Sequence, residues 1–343
     1  MGTNQQNKAM KYLSLFSGIG GFELGIKAAT KNKWECVGYS EIDKHAIKIY
    51  EKHFKHKNFG DVKKIRAKSL PDFDVLVGGF PCQAFSIAGR RQGFQDTRGT
   101  LFFDIARIAK CKQPRYLLLE NVKGLLSHDK GNTFKTIIRT LDGLGYDVQW
   151  QLLNSKNFGV PQNRERVFIV GHLREGRRPK IFPLTKTNKE TNVSNTIRTG
   201  GRGSLSKKHA WDLVQLSGGS QGYRVYDPKG ISTTLASQAG GVGAKTGLYA
   251  IPVLTPDRLH KRQNGRRVKG NNEPSFTLTA QDKHGVFDGI SIRRLTPTEC
   301  ERLQGFPDKW TEGVSDTARY RCLGNAVTVN VIRRIVRLLF LEK

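Results

Sequence analysis

An α/β fold, with a doubly wound sheet and a smaller β-rich domain inserted into it, is the class this sequence predicts. Three observations carry the prediction. Short apolar runs alternate with helix-like stretches from residue 12 to residue 171, which is the pattern of βαβ units. A glycine loop separates the first run from the first helix, as in folds that bind a nucleoside at strand ends. After Leu173 the composition changes to Arg, Lys, Thr, Asn, Ser and Gly, with brief strand-like pieces.

The chain has 343 residues, enough for one large domain or two smaller ones with full cores. The expected layout is a leader at 1–10, a catalytic domain at 11–185 plus 318–343, an inserted domain at 186–290 and a connecting segment at 291–317. Net charge is +29, from 58 basic and 29 acidic side chains, which favours a polyanionic partner, and nucleic acid is the usual one. No stretch of 18 apolar residues exists, so no membrane span is expected. Residues 1–8 lack an apolar h-region and do not read as a signal peptide. Five cysteines form no C-x-x-C, so neither a zinc site nor a disulfide framework is expected, and free thiols suit a reducing cytoplasm.

In chain order, the strand Tyr12–Phe16 meets a loop containing Gly18, Gly20 and Gly21, and a helix follows with Phe22, Leu24, Ile26 and Ala29 for packing. Glycines allow close backbone approach to a ligand, and the helix start offers free amides. The strand Cys36–Ser40 ends in Glu41, about 20 residues beyond the loop, where a ribose-binding carboxylate is expected. Asp61 follows a third weak element and suits an adenine amino group. A helix cap or a solvated loop acid is the plain alternative for either carboxylate. The loop is not G-x-G-x-x-G, so a dinucleotide pyrophosphate fits poorly and a nucleoside such as S-adenosylmethionine fits better.

The run Val75–Val77 reads as a buried strand broken by Gly78 and Gly79. Pro81 fixes the backbone leaving it, and Cys82 sits at the tip, where open α/β sheets bind ligands. The glycine-punctuated basic stretch Gly89–Gly99 reads as a mobile surface loop. A helix over Leu101–Ala109 stops before Pro114, and the strand Tyr116–Leu119 ends in Glu120. A carboxylate there is costly unless it has a task or a neutralising arginine. A helix over Thr133–Leu144, a strand over Val148–Asn154, the run Gln162–Arg166 and a strand over Val167–Gly171 complete the unit. Arg164 and Arg166 alternate, so they are expected to point the same way, toward phosphate or toward Glu120.

Beyond residue 173, strand-like pieces at 222–226, 232–235, 240–243 and 247–250, a basic run at 261–267 and the segment Ser275–Ala280 suggest a basic β unit suited to reading DNA. A helix is expected to open at Thr296 with proline in its first turn. Another is expected over Val327–Leu341, with Asn325 as its cap or as part of a cofactor pocket.

These motifs, in this order, resemble the bacterial DNA (cytosine-5)-methyltransferase family over nearly the whole chain. Phe16–Gly21 resembles its cofactor loop, Glu41 and Asp61 its ribose and adenine ligands, and Gly79–Gln83 its nucleophile loop. Glu120-Asn121-Val122 resembles its acid motif, Gln162–Arg166 its Gln-x-Arg-x-Arg motif, and Arg293–Asp308 and Gly324–Val327 its last two motifs. The resemblance implies a Rossmann-like class I methyltransferase domain carrying a target-recognition domain. It implies S-adenosyl-L-methionine held by Phe16, Gly18, Gly20, Gly21, Glu41, Ile42, Asp61, Val62, Pro81, Leu101, Asn325 and Ala326. Cys82 would attack cytosine C6, with Glu120, Arg164 and Arg166 as its catalytic partners. Gln83, Ser86, Arg98, Gln221, Arg224 and Thr234 would contact double-stranded DNA around a flipped base. A monomeric, cytoplasmic enzyme of bacterial or phage origin is implied, with no metal and no membrane. A possible cognate restriction endonuclease would act on the same DNA site without binding this protein directly. Two alternatives stay open: a tRNA-directed member of the family, which the long insert disfavours, and a non-catalytic DNA-binding regulator, which intact Pro81-Cys82 and Glu120 disfavour.

Overall fold

The computed structural model describes residues 9–81, 101–174, 181–184, 215–217, 225–226, 248–249, 251–254, 268–269, 273–280, 283–287 and 292–340. The chain divides into two compact units. One comprises residues 1–153, 165–185 and 326–343, and the other 154–164 and 186–325.

The first unit is built on a six-stranded sheet of order β2-β1-β3-β4-β6-β5. Its strands are β1 (Lys11–Leu15), β2 (Glu35–Ser40), β3 (Val75–Gly79), β4 (Tyr116–Val122), β5 (Tyr146–Asn154) and β6 (Glu165–Leu173). Strand β1 pairs in parallel with β2 and with β3, and β3 pairs in parallel with β4. The central strands read as continuous apolar runs because parallel strands are covered on both faces. Leu13, Leu15, Leu76, Leu117 and Leu119 are fully buried. They join one core with Ile105, Ile108 and Ala109 of α3 (Leu101–Lys112) and with Ile137 and Leu141 of α4 (Asn132–Gly143). Strand β6 runs antiparallel to β4. Residues 155–164, between β5 and β6, are short of the dozen or more that a parallel crossover needs.

A helix the sequence reading passes over, α2 (Lys44–His53), follows β2. Asp43 caps it, its Oδ1 accepting the amides of His45 and Ala46. Only Ala46, Ile49 and Tyr50 are buried on it, a stripe too narrow to stand out among six Lys, His and Glu residues.

The last helix of the unit, α7 (Val329–Phe340), packs on α1 (Gly21–Thr30). The contact is closest at Gly25, where a Cβ would lie 2.7 Å from Ile332 Cβ and 3.0 Å from the Val329 carbonyl. Replacing a mid-helix glycine by alanine normally gains about 1 kcal/mol in propensity. At Gly25 neither neighbour is a flexible chain end, so overpacking of about 1–3 kcal/mol should outweigh that gain. Gly25→Ala is therefore expected to lower the urea midpoint, and a raised midpoint would contradict the α1–α7 packing.

In the second unit, β7 (Gln215–Ser217), β8 (Val225–Tyr226) and β9 (Leu248–Tyr249) form one three-stranded sheet. Strands β10 (Ile251–Leu254), β11 (His284–Phe287) and β12 (Ile292–Arg294) form another. The expected pieces at 222–226 and 247–250 overlap β8 and β9, while 232–235 and 240–243 lie outside the described residues. Ser275–Ala280 is not a strand. It makes one isolated bridge, from Ser275 to Gln162. The helices α5 (Pro297–Leu303) and α6 (Asp316–Asn325) follow. Thr296 caps α5 in a reciprocal box with Glu299 and Pro297 at its first turn, as its sequence implies. Among the described residues no helix is long and apolar enough to cross a membrane.

Candidate active site

The β1–α1 turn leaves the sheet through three left-handed residues: Phe16 (φ 54°), Gly18 (φ 56°) and Gly20 (φ 87°). Left-handed backbone is cheap for glycine and costs a residue such as Phe16 of order 1 kcal/mol. Gly21 opens α1. A Cβ on Gly18 would meet nothing within 4 Å, so the loop has open space beside it.

Glu41 lies at the end of β2 and faces that loop. Its Oε2 accepts the Gly18 amide at 2.9 Å, and its Oε1 accepts the amides of Ile42 and Asp43 at 2.8 and 2.9 Å. Ile42 is 72% exposed, an apolar side chain left available for a flat ligand surface. Asn58, which the sequence reading does not single out, joins Glu41 to the Gly60-Asp61 turn. Its Oδ1 accepts the Glu41 and Gly60 amides, and its Nδ2 donates to the Glu41 carbonyl. Ser40 Oγ donates to the Gly60 carbonyl at 2.6 Å. Asp61 follows and caps a short 3-10 turn, its Oδ1 accepting the Lys63 amide. The plain alternative of a cap therefore holds for this carboxylate, alongside any ligand role. Val62 is buried, and its carbonyl and that of Ile65 accept from Arg107 of α3 at 2.9 and 2.7 Å.

These residues suit a nucleoside. A carboxylate after β2 and another at the cap of the following 3-10 turn could accept hydroxyl and amino protons, and the left-handed glycine loop leaves room for the backbone to approach. A pyrophosphate would meet carboxylate charge instead. Leu101 begins α3, Asn325 ends α6 and Ala326 is buried as the chain returns to the first unit. Asn325 thus closes a helix rather than capping α7, because residues 316–325 are themselves helical.

The second cluster lies where β3 and β4 end side by side. Gly79 is the register partner of Glu120. A Cβ at residue 79 would sit 3.1 Å from Glu120 Oε2, so the missing side chain makes room for the carboxylate. Arg166 of β6 closes from the other side, its Nε 3.1 Å from Glu120 Oε1, with side chains 15% and 12% exposed. Burial pulls the Arg166 guanidinium below its ordinary value and the Glu120 charge pushes it back up.

Asn121 is a further residue of this cluster that sequence reasoning did not assign a task. It is buried, and its Nδ2 donates to the Phe80 carbonyl at 2.9 Å while its Oδ1 accepts the Val122 amide. It ties the acid-bearing strand to the Phe80-Pro81 turn. Phe80 is buried against Phe102 of α3, and Pro81 is exposed.

Arg164 and Arg166 do not share partners. Arg164 donates to the carbonyls of Leu278 and Gly324, at 2.7 and 3.1 Å, and its neighbour Gln162 bridges the Leu303 carbonyl and the Leu278 amide. Strand β6 begins at Glu165, so the alternation rule applied to the two arginines does not reach Arg164. Cys82, Gln83, Ser86, Arg98, Gln221, Arg224 and Thr234 lie outside the described residues.

Residues 10–340 match the family described as C-5 cytosine-specific DNA methylase. The chain belongs to the C-5 cytosine-specific DNA methylase family. It is 35% identical to the orphan methyltransferase M.SPRI of Bacillus phage SPR, over 96% of this chain and 97% of that protein. It is 33% identical to the type II methyltransferase M.HhaI of Haemophilus parahaemolyticus, over 97% of this chain and 94% of that one. Among solved structures, a putative DNA modification methyltransferase encoded within an Escherichia coli prophage superposes with a TM-score of 0.63, at 22% identity, over 96% of this chain and 98% of the other. That likeness supports the Rossmann-like methyltransferase fold. Family membership makes the chain an S-adenosylmethionine-dependent DNA (cytosine-5)-methyltransferase.

Proposed function

We propose that this chain methylates C5 of a cytosine swung out of a short double-stranded DNA target, through a transient bond between Cys82 and C6. The observation that carries the reading is the apposition of Glu120 with Gly79, three residues ahead of Cys82, braced by Arg166.

Cytosine C5 is a poor nucleophile. Addition of a thiolate at C6 turns C5 into an enamine-like carbon. Cys82 Sγ forms the S–C6 bond, and Glu120 holds N3 and the exocyclic amine, placing a proton where negative charge develops. S-adenosylmethionine, when bound, supplies an electrophilic methyl group for C5. Loss of the C5 proton then expels Cys82 and restores the aromatic ring. In this reading Glu41 holds the ribose of the cofactor, Asp61 its adenine amino group and Ile42 its ring face. A stacked base cannot present both faces of its ring, so the cytosine leaves the helix at a cost of a few kcal/mol. The second unit, with residues 186–290, reads the target, and Gln83, Ser86, Arg98, Gln221, Arg224 and Thr234 contact the opened duplex. Relatives named orphan and type II both occur, so a partner endonuclease belongs to this proposal only as an enzyme sharing the target site.

Incubation with labelled cofactor and either duplex DNA or tRNA tests the reading. Label on DNA is expected, and label on tRNA alone would overturn it. The charge of +29 adds an expectation for binding. Affinity for duplex should fall steeply with salt, by about 0.9 in log K per log unit of salt for each phosphate neutralised. A flat response in a filter-binding titration would contradict DNA as the partner of this charge.

A further inference from the structure

A carboxyl–phenol–imidazole chain, buried at the carboxyl and the phenol and half-buried at the imidazole, lies beside the glycine loop, and no step above uses it. Glu23 stands in the first turn of α1 and is 1% exposed. Its Oε1 lies 3.1 Å from the Tyr50 hydroxyl, and the same hydroxyl lies 2.8 Å from His56 Nδ1. A phenol has one proton to donate. When it donates to Glu23, His56 must offer a proton from Nδ1. When it donates to His56, Glu23 must be the neutral acid and donate to the phenol oxygen. Ionising Glu23 therefore excludes the second arrangement and commits His56 to a proton on Nδ1.

That change reaches the loop by two routes. Glu23 shares the first helical turn with Gly20, whose carbonyl accepts the Leu24 amide at 3.0 Å. His56 stacks on Phe54, with ring centroids 5.3 Å apart and planes at 17°. The Phe54 ring fills the space beside Gly20, where a Cβ would lie 2.5 Å from its Cε2.

Burial pushes the Glu23 carboxyl up to about 7, against the opposing pull of the Ser14 and Tyr50 hydroxyls, and the Glu41 charge adds to the rise. The other titratable groups facing the chain are Tyr12 from β1 and Cys36 and Tyr39 from β2, the last stacked on Tyr50 with ring centroids 3.9 Å apart; burial pushes all three upward, so they are neutral near pH 7. Burial lowers His56. From α7, it is the apolar Ile332 and the Val329 backbone that meet α1 at Gly25.

We propose that Glu23, acting through Tyr50 and His56, is a positioning residue for the cofactor loop, and that its ionisation loosens the loop's hold on the nucleoside cofactor. The proposal rests on the assignment of the Phe16–Gly21 loop to S-adenosylmethionine.

The test is calorimetric binding of S-adenosylmethionine to the full chain from about pH 6 to about pH 9, in wild type, Glu23→Gln and Tyr50→Phe. Wild-type affinity is expected to fall several-fold as pH rises through the neutral range. Glu23→Gln, which keeps the shape and cannot ionise, should hold the low-pH affinity throughout. Tyr50→Phe, which cuts the link to His56, should bind more weakly at low pH and lose the dependence. Parallel profiles in wild type and Glu23→Gln would overturn the proposal while leaving the loop assignment intact. Failure of the wild type to bind the cofactor at any pH would remove that assignment, and the proposal with it. Should Glu23→Gln prove unstable, an unchanged pH profile in Tyr50→Phe would be sufficient to reject the relay.

Discussion

Cys82→Ser is expected to abolish methyl transfer, by about 10⁴-fold or more, and to leave DNA binding within a few-fold of wild type. A serine hydroxyl does not ionise near neutral pH, whereas a thiol needs only a modest fall in pKa to supply a useful fraction of thiolate. The substitution removes one methyl-sized atom's worth of reactivity and little shape. DNA affinity comes mainly from phosphate contacts made elsewhere on the protein, so binding and turnover should separate. Filter binding and tritium transfer from labelled cofactor, run on the same preparation, measure both. Turnover within tenfold of wild type would refute the nucleophile assignment.

Glu120→Gln carries the second large effect. The amide fits the same space but cannot supply the proton that stabilises charge on the ring as Cys82 adds. A loss of about 10²–10⁴-fold in kcat is expected for a general acid, with cofactor affinity unchanged because Glu41 follows β2 and Asp61 caps a 3-10 turn, both away from β4. The substitution also leaves Arg166 facing a neutral partner in a site where both side chains are largely buried. An uncompensated buried charge costs several kcal/mol, so the variant should unfold at lower urea as well. Single-turnover methylation separates the two effects, since folded enzyme can be counted by cofactor binding. A kcat within threefold of wild type would remove Glu120 from the chemistry.

What the sequence makes legible is what is local. The glycine loop, Glu41 and Glu120 are each read from a strand end and the residues next to it, because a strand terminus and its following turn are fixed by a handful of neighbours. Thr296 with Glu299 and Pro297 is legible for the same reason. The residues missed act over long separations. Asn121 reaches Phe80 across 41 positions and Arg107 reaches Val62 across 45, and no spacing rule connects such pairs. The expectation that Arg164 and Arg166 point the same way fails because it depends on where β6 begins, a boundary that a single residue decides. The antiparallel setting of β6 likewise depends on how much chain separates it from β5, not on its own apolar pattern. The helix α2 is hidden by its composition, since tertiary contacts of Tyr50 and Ile49 hold a segment that is otherwise charged.

The proposed reaction turns on a covalent bond between one sulfur and one ring carbon, and 5-fluorocytosine tests that bond most directly. Fluorine at C5 cannot leave as a proton does, so an adduct that has received its methyl group is trapped. Incubation of the protein with cofactor and a duplex carrying 5-fluorocytosine in its target should give a species of the summed mass, stable to denaturation. Proteolysis and mass spectrometry should place the nucleotide on the peptide that contains Cys82. Recovery of unmodified protein from a duplex that is methylated normally when it carries cytosine, or attachment at any other residue, would contradict the account.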